Sequence, residues 1–341
     1  MSTRAATAQD VAYLAGVSQS AVSRAFTPGA SISAAMRERV LRAAAELGYR
    51  PNLIARSLIT RRSGMIGVAV GNLSNHLYPR MLEALSDRLQ AQGYRILLFT
   101  APRDGSADPE LEQVLRYQVD GLILAATMLS SRVAEECRAA GVPVILFNRT
   151  SGTRGVSSVT GANRDGARAI AELLAEAGHA RPAVIAGPSS ASTSREREAG
   201  FREGCTASGL PEPAVEIGEF ETAAAARAMR ALLSRRPRPD AVFCASDSMA
   251  IVAMDVARHD FGLRVPKDVS IAGFDDAPPA AWPAYALTTW AQPVDAMVDA
   301  TVSLLWEQLA DAAPPPRQVI VPGRLMLRQS CRLPAVMEAR A

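Results

Sequence analysis

MIGVAV at residues 65–70 is an unbroken apolar run too short for a helix, and a strand with no polar face is one buried on both sides. Beyond it, Tyr78 to Gln92 carries apolar side chains at helical spacing, and RILLF at 95–99 is apolar again. The alternation continues through Pro109 to Gln118, GLILA at 121–125, Ser131 to Ala140 and PVILF at 143–147. Short buried strands separated by amphipathic helices require right-handed crossovers, so the pattern predicts a doubly wound parallel α/β layer. The rhythm then restarts. It predicts helices over 165–177, 194–208, 222–234 and 248–258, with strands over 182–186, 214–217, 241–244 and 269–273. Two such sheets facing each other leave a cleft where the carboxyl ends of their strands converge, and ligands bind at that edge.

The chain of 341 residues is too long for one ordinary core. With 48% hydrophobic residues, 21% charged and a net charge of +3, it has a globular composition. Met65 to Val70 and Gly121 to Met128 fall far short of the roughly 20 apolar residues a membrane helix needs, so no membrane partner is expected. Met1 to Asp10 lacks the apolar centre of a secretory signal, which makes the cytoplasm the expected compartment. Cys137, Cys205, Cys244 and Cys331 stand far apart and read as buried free thiols.

Residues 1–62 read differently. Arg4, Arg24, Arg37, Arg39, Arg42, Arg50, Arg56, Arg61 and Arg62 stand against Asp10, Glu38 and Glu46, a net +6, while the rest of the chain holds 28 basic and 31 acidic residues. A basic head on a mildly acidic body suits polyanion binding by the head, because each neutralised phosphate releases counterions. A merely solvated basic surface has the same composition, so the arrangement decides. Thr7 with Asp10 reads as a cap and capping acid for a helix with the apolar stripe Val11, Leu14 and Ala15, ended by Gly16. Ser18 caps a second helix with Val22 and Phe26 inward and Gln19, Ser20, Ser23 and Arg24 outward. Ser33 caps a third, over 34–47, with Val40, Leu41, Ala44 and Leu47 inward. Two short helices joined at a tight glycine turn form the helix-turn-helix layout that sets a recognition helix in a major groove.

Asp10-Val11-Ala12 to Ala15-Gly16-Val17-Ser18, then Val22-Ser23-Arg24, then Arg39-Val40 and Leu47-Gly48-Tyr49-Arg50-Pro51-Asn52, resemble the DNA-binding head of the lactose-repressor (LacI/GalR) family of bacterial transcription regulators. The likeness continues without a gap into that family's hinge and body, so it covers essentially the whole chain. It implies an all-α helix-turn-helix DNA-binding head at 1–50, a hinge helix or linker at 51–62, and an α/β two-lobe periplasmic-binding-protein-like core at 63–341. In that core two doubly wound parallel sheets form an N-lobe of about 63–160 and 292–321 and a C-lobe of about 161–291 and 322–341, with crossings near Gly161, Gln292 and Pro322. The resemblance places Gln19, Ser20 and Arg24 at base-reading and phosphate positions with Ser23 on the same face, and Thr7 and Ser18 on phosphates. In the hinge it places Asn52, Arg56 and Leu58 on DNA, the leucine as a wedge that unstacks a minor-groove step. The partners it implies are a double-stranded DNA operator, a second copy of the chain in a homodimer, and a small-molecule effector.

On the same resemblance the effector contacts fall on Asn72, Tyr78, Asn148, Arg149, Arg197, Phe220, Asp247 and Asp275, with Asn72, Arg197 and Asp275 hydrogen-bonding the effector and Tyr78 or Phe220 stacking on it. A mixed Asp, Asn and Arg lining fits a sugar or sugar acid, with a nucleobase as the alternative. A buried Asp and Arg need partners, so they meet either the ligand or each other. Asn75-His76-Leu77-Tyr78 departs from the family's usual Asn-Pro-Phe-Phe or Tyr, and Ser246-Asp247 from its Asn-Asp, which leaves the effector chemistry open; His76 reads as a helix cap. GxSxG, GxxxxGK[ST], HExxH and GxGxxG are all missing, so neither an enzyme nor a cofactor is expected. A transport-type solute receptor is the rival function, and the fused basic head counts against it. Leu325 to Ala341 carries no leucine heptad, so no tetramerisation zipper is expected, and Pro314-Pro315-Pro316 reads as a rigid loop.

Overall fold

The computed structural model describes residues 6–27, 29–50, 62–71, 73, 75–100, 116–125, 131–150, 156–310 and 314–334. Asn52, Arg56 and Leu58 of the hinge lie outside the described residues, as do Asn72 and most of the helix expected over 109–118. The chain divides into two compact units at Ser63 and Gly64.

The first unit holds α1 (Ala8–Ala15), α2 (Gln19–Ala25) and α3 (Ala34–Glu46). Thr7 and Asp10 form a reciprocal capping box: the Thr7 N–H donates to Asp10 Oδ2 at 2.8 Å and Thr7 Oγ1 accepts from the Asp10 N–H at 3.3 Å. Gly16, at φ 60°, closes α1 in the left-handed conformation that a Cβ would strain. The hydroxyls of Ser18 and Ser33 cap the next two helices. Val11, Ala12, Ala15, Val22, Ala25, Val40, Ala43 and Ala44 make the core, with Phe26 edge-on to Tyr49 at 5.8 Å. Leu14, Leu41 and Leu47 are exposed, against the expectation from the pattern, and Ala43 is buried instead. Three short helices meeting through alanines bury only a narrow stripe, and these leucines stand at its edge.

The second unit contains the two expected sheets. The first runs through β1 (Met65–Val70), β2 (Arg95–Thr100), β3 (Gly121–Ala125), β4 (Val144–Phe147), β5 (Ser157–Gly161) and β11 (Gln318–Val321), in the order β11-β5-β4-β3-β1-β2. It is flanked by α4 (Leu77–Ala91), α5 (Ser131–Ala139) and α10 (Val294–Leu309). The second runs through β6 (Pro182–Ala186), β7 (Ala214–Ile217), β8 (Ala241–Cys244), β9 (Ser270–Asp275), β10 (Thr288–Ala291) and β12 (Arg324–Met326), in the order β12-β10-β9-β8-β6-β7. Its helices are α6 (Asn163–Glu176), α7 (Ser192–Ala207), α8 (Thr222–Ser234) and α9 (Asp247–Asp255), the last running on into a π turn over Val256–Asp260. Pairing is parallel throughout except that β12 lies antiparallel on β10. That edge strand, together with β5, β10 and α10, is not marked by the apolar pattern. SSVTG and TTWA bury Ser157, Ser158, Thr160, Thr288 and Thr289 where a buried strand usually shows Val or Ile.

Each sheet is packed on both faces. Ile66, Val68, Met81, Leu85 and Leu89 meet Met297 and Leu305 on one face of the first sheet; Phe201 stacks on Phe243 at 4.9 Å on one face of the second. The chain passes between the sheets after Gly161, Ala291 and Val321. A side chain on Gly161 would run into Gln292, so the first two crossings pack directly on each other. The four cysteines are buried and free, and burial pushes the thiols of Cys137 and Cys205 up to about 11. No helix among the described residues is long and apolar enough to cross a membrane.

His179 ties the end of the chain to the second sheet. Its Nδ1 accepts from Arg332 Nη2 at 2.7 Å, its Nε2 lies 2.8 Å from Ser270 Oγ, and the ring is buried. Burial, reinforced by the Arg332 charge, lowers its pKa to about 4. The folded pKa lies below the unfolded value, so the native state holds the ring neutral. The stability this gives is complete above about pH 6.5 and is lost as pH falls towards 4. Urea unfolding of the wild type is expected to lose about 2.5 kcal/mol more between roughly pH 7.5 and 4.5 than a His179→Gln variant does. Parallel pH profiles for the two proteins would contradict this.

Candidate functional site

α2 is amphipathic in the simplest way. Ala21, Val22 and Ala25 face the core, which leaves Gln19, Ser20, Ser23 and Arg24 on the opposite, exposed side. Ser18 Oγ lies 2.9 Å from Ser20 Oγ, and Arg24 Nε donates to the Ser20 carbonyl at 3.4 Å, laying the guanidinium along the helix. Of the head's acids, Asp10 is held in the capping box and Glu38 pairs with Arg42 at 2.8 Å. The face is rich in donors, and among the described residues no carboxylate pairs with Arg24, which is what a phosphate and base-edge surface requires. The hydroxyls of Thr7 and Ser18 already serve as caps, which fixes their place at the helix starts.

In the body, the candidate residues cluster where the strands of the two sheets end. Arg197, on α7, is buried to 2% exposure. Its Nε donates to Asn163 Oδ1 at 2.9 Å, its Nη1 to the Ala245 carbonyl at 2.6 Å, and its Nη2 lies 3.3 Å from Asp275 Oδ1. The guanidinium stacks on the Phe274 ring at 3.9 Å. Asp275, at the end of β9, also accepts from Gln292 Nε2 at 2.8 Å and from Asn75 Nδ2 at 3.5 Å. Burial lowers the Arg197 pKa and raises that of Asp275, so for both groups loss of water outweighs their mutual attraction. The pair is bridged, yet its charges remain incompletely compensated.

Asn148 and Arg149 leave the end of β4 on the first lobe. Asn148 Nδ2 donates to Tyr78 Oη at 3.4 Å, and Arg149 Nη1 donates to Thr193 Oγ1 of the second lobe at 2.6 Å. Next to them the Thr150 N–H donates to Ser192 Oγ at 2.9 Å. Phe220, at φ 55°, lays its ring over Gly187, where any Cβ would displace it, with the Arg149 guanidinium 6.0 Å from its centroid.

The structure thus brings Tyr78, Asn148, Arg149, Arg197 and Asp275 into one network and sets Phe220 against Arg149. Tyr78 is packed in the first lobe's core with only its hydroxyl engaged, so it presents no free face for stacking. Asp247 has a different occupation from the one expected. Its carboxylate accepts from Thr289 Oγ1 at 2.6 Å and the Ala277 N–H at 2.7 Å, which ties β9 and β10 to α9. Burial, and then the nearby Asp275, push its carboxyl above the ordinary carboxylate range. Asp276 pairs outside the network with Arg328 at 2.6 Å. His76 makes no capping bond; the Leu77 N–H is taken by Asn75 Oδ1 at 2.9 Å. Asn163 and Ser192 were not singled out by sequence, and Gln292 only as the place of a crossing. Each is a polar residue beside a crossing or a helix start, and only their burial marks them.

Two family descriptions match this chain: "Bacterial regulatory proteins, lacI family" over residues 7–52 and "Periplasmic binding protein-like domain" over residues 171–331. The HTH-type transcriptional regulator CelR of Thermobifida fusca is 35% identical over 337 residues, covering 96% of this chain and 98% of that protein. A solved complex of the transcriptional regulator CelR with cellobiose is 33% identical, covers 95% of this chain and 99% of its own, and superposes with a TM-score of 0.72. The lac repressor dimer bound to operator and the anti-inducer ONPF is 30% identical with a TM-score of 0.86, covering 96% of this chain and 99% of its own.

Proposed function

The chain belongs to the LacI family of bacterial regulatory proteins and is a DNA-binding transcriptional regulator, and from that premise we propose that it is a repressor whose dimer holds a pseudo-palindromic operator under the control of a small polar metabolite. The observation that carries this reading is the conjunction of an exposed, acid-free α2 face in one compact unit with a network of buried, undercompensated charges between two lobes in the other. One head touches too few base pairs for a selective site. Two heads related by a two-fold axis read two half-sites, which makes the operator a near-palindrome.

In this scheme residues 1–50 read DNA and the segment 51–62, with Asn52, Arg56 and Leu58, adds contacts that depend on two copies meeting. The core senses the effector. Arg197, Asp275 and Asn148 bind its polar groups and Phe220 covers an apolar face, a lining suited to a sugar or sugar acid; the complex of the relative CelR with cellobiose supports the sugar class. The effector changes operator affinity only through its difference in affinity for the two lobe arrangements, and near-complete switching requires roughly 5.5 kcal/mol of difference.

The test is a salt titration of operator binding, read by fluorescence anisotropy on the intact protein. Affinity is expected to fall steeply with salt, and Arg24→Ala to weaken binding while reducing the log-log slope by about one per head. A slope that the substitution leaves untouched removes Arg24 from the phosphate contacts.

A further inference from the structure

We propose that the interlobe cleft takes an effector carrying an anionic oxygen group, a carboxylate or a phosphate, seated against the Arg149 guanidinium beside the first turn of α7, with a hydroxyl of the same molecule on Asn148. This rests on reading the cleft as the effector site and names the chemical class it selects.

Arg149 is 7% exposed, and its two hydrogen bonds run to neutral oxygens, the Asn148 carbonyl at 2.9 Å and Thr193 Oγ1 at 2.6 Å. Among the described residues no carboxylate pairs with it. Arg197, the other buried cation here, already faces Asp275, and the charge of Arg149 works against its own. A buried guanidinium with only neutral acceptors keeps its desolvation penalty, and an anion is the group that relieves it.

The second component is the start of α7. This helix of 16 residues begins at Ser192 after Ala191, which has no side-chain acceptor to cap it, and Ser192, Thr193 and Ser194 are all buried. Its uncapped N–H end carries partial positive charge, and the bond from Arg149 to Thr193 places the guanidinium beside it. The third component is Asn148, 3% exposed and held at φ 55°. Its Nδ2 is engaged by Tyr78, while its Oδ1 has no hydrogen-bond partner. An unfilled buried acceptor beside a cation asks for a donor and an anion on one ligand, which a polyhydroxy acid or a sugar phosphate supplies and a neutral saccharide does not. The Phe220 ring beside Arg149 then covers the carbon face of such a molecule.

The experiment measures melting temperature and calorimetric affinity of the intact protein at constant ionic strength, with chloride as the control salt. The probes are inorganic phosphate, gluconate and glucose 6-phosphate as anions, and glucose and cellobiose as neutral counterparts. At least one anion is expected to raise the melting temperature saturably and to bind more tightly than its neutral counterpart; gluconate against glucose 6-phosphate separates carboxylate from phosphate. Arg149→Gln, which retains donors for Thr193, is expected to weaken the anion about tenfold or more, and Arg149→Lys to restore part of the loss. If no anion shifts the wild type, or if Arg149→Gln binds anions as well as the wild type does, the proposal is wrong. Neutral saccharides that still bind in that case leave the cleft as the effector site, whereas silence from every probe removes both.

Discussion

Arg197→Ala is expected to lower the unfolding free energy of the body by about 3–5 kcal/mol, read as a lower urea midpoint at an unchanged slope. The deletion strands four groups at once. Asp275 loses its only cationic partner among the described residues, at 3.3 Å, Asn163 Oδ1 and the Ala245 carbonyl lose donors at 2.9 and 2.6 Å, and the Phe274 ring loses the plate stacked 3.9 Å above it. An isolated buried carboxylate is the costliest of these, and burial already raises Asp275 with the arginine in place. Without the arginine its folded pKa rises further above the unfolded value, so in the variant protonation stabilises the native state. The deficit is therefore expected to be full well above that raised pKa and to shrink as pH falls through it. Adding Asp275→Asn to Arg197→Ala should recover a large part of the loss, since a neutral amide still meets Gln292. Arg197→Lys is expected to recover little, because one ammonium cannot reach Asn163, Ala245 and Asp275 together. A loss below about 1 kcal/mol for Arg197→Ala would show that the pair adds nothing net to the fold.

What could be read in the sequence follows from how local each determinant is. The head declared itself because Thr7 with Asp10, Gly16 and Ser18 are caps and a turn whose chemistry acts over three or four residues. MIGVAV, GLILA and PVILF declared the first sheet because a strand buried on both faces has no polar side to obscure it. SSVTG and TTWA stayed hidden for the converse reason. Their hydroxyls are buried, and those of Ser157, Thr288 and Thr289 meet groups far along the chain, as when Thr289 bonds to Asp247 and Thr288 Oγ1 accepts from the Arg328 N–H at 2.9 Å. The same distinction divides the site. Position after a strand end singled out Arg197 and Asp275, but that position does not tell whether a carboxylate faces the ligand or the scaffold. Asp247 shows this: its partners Ala277 and Thr289 lie 30 and 42 residues away, and no spacing announces them. The exposed Leu14 and Leu41 make the matching point for the head, where helical periodicity names a face and the small size of the bundle decides how wide a face it buries.

Removing residues 1–63 is expected to weaken operator binding by about a thousandfold or more while the urea midpoint of the body and its calorimetric response to effector stay where they are. The head carries nine arginines against three acids, whereas the remainder carries 28 basic against 31 acidic residues, so the truncated chain loses the positive charge that displaces counterions from DNA. It also loses the whole α2 face of Gln19, Ser20, Ser23 and Arg24. The body should survive because, among the described residues, Val11, Val22, Val40 and their alanine neighbours form a cluster confined to the head, and no member of the body's clusters comes from before Met65. Fluorescence anisotropy with labelled operator and urea unfolding followed by circular dichroism check the two halves independently. Operator affinity that persists in the truncated chain would move DNA recognition out of the head. A body that unfolds on truncation would mean instead that the compact units depend on each other for stability. On the proposed dimeric reading, a head severed from the body binds as a single copy, so the isolated head should not recover the loss. It is expected to bind DNA weakly with a salt slope about half that of the intact protein, since half as many phosphates are then neutralised.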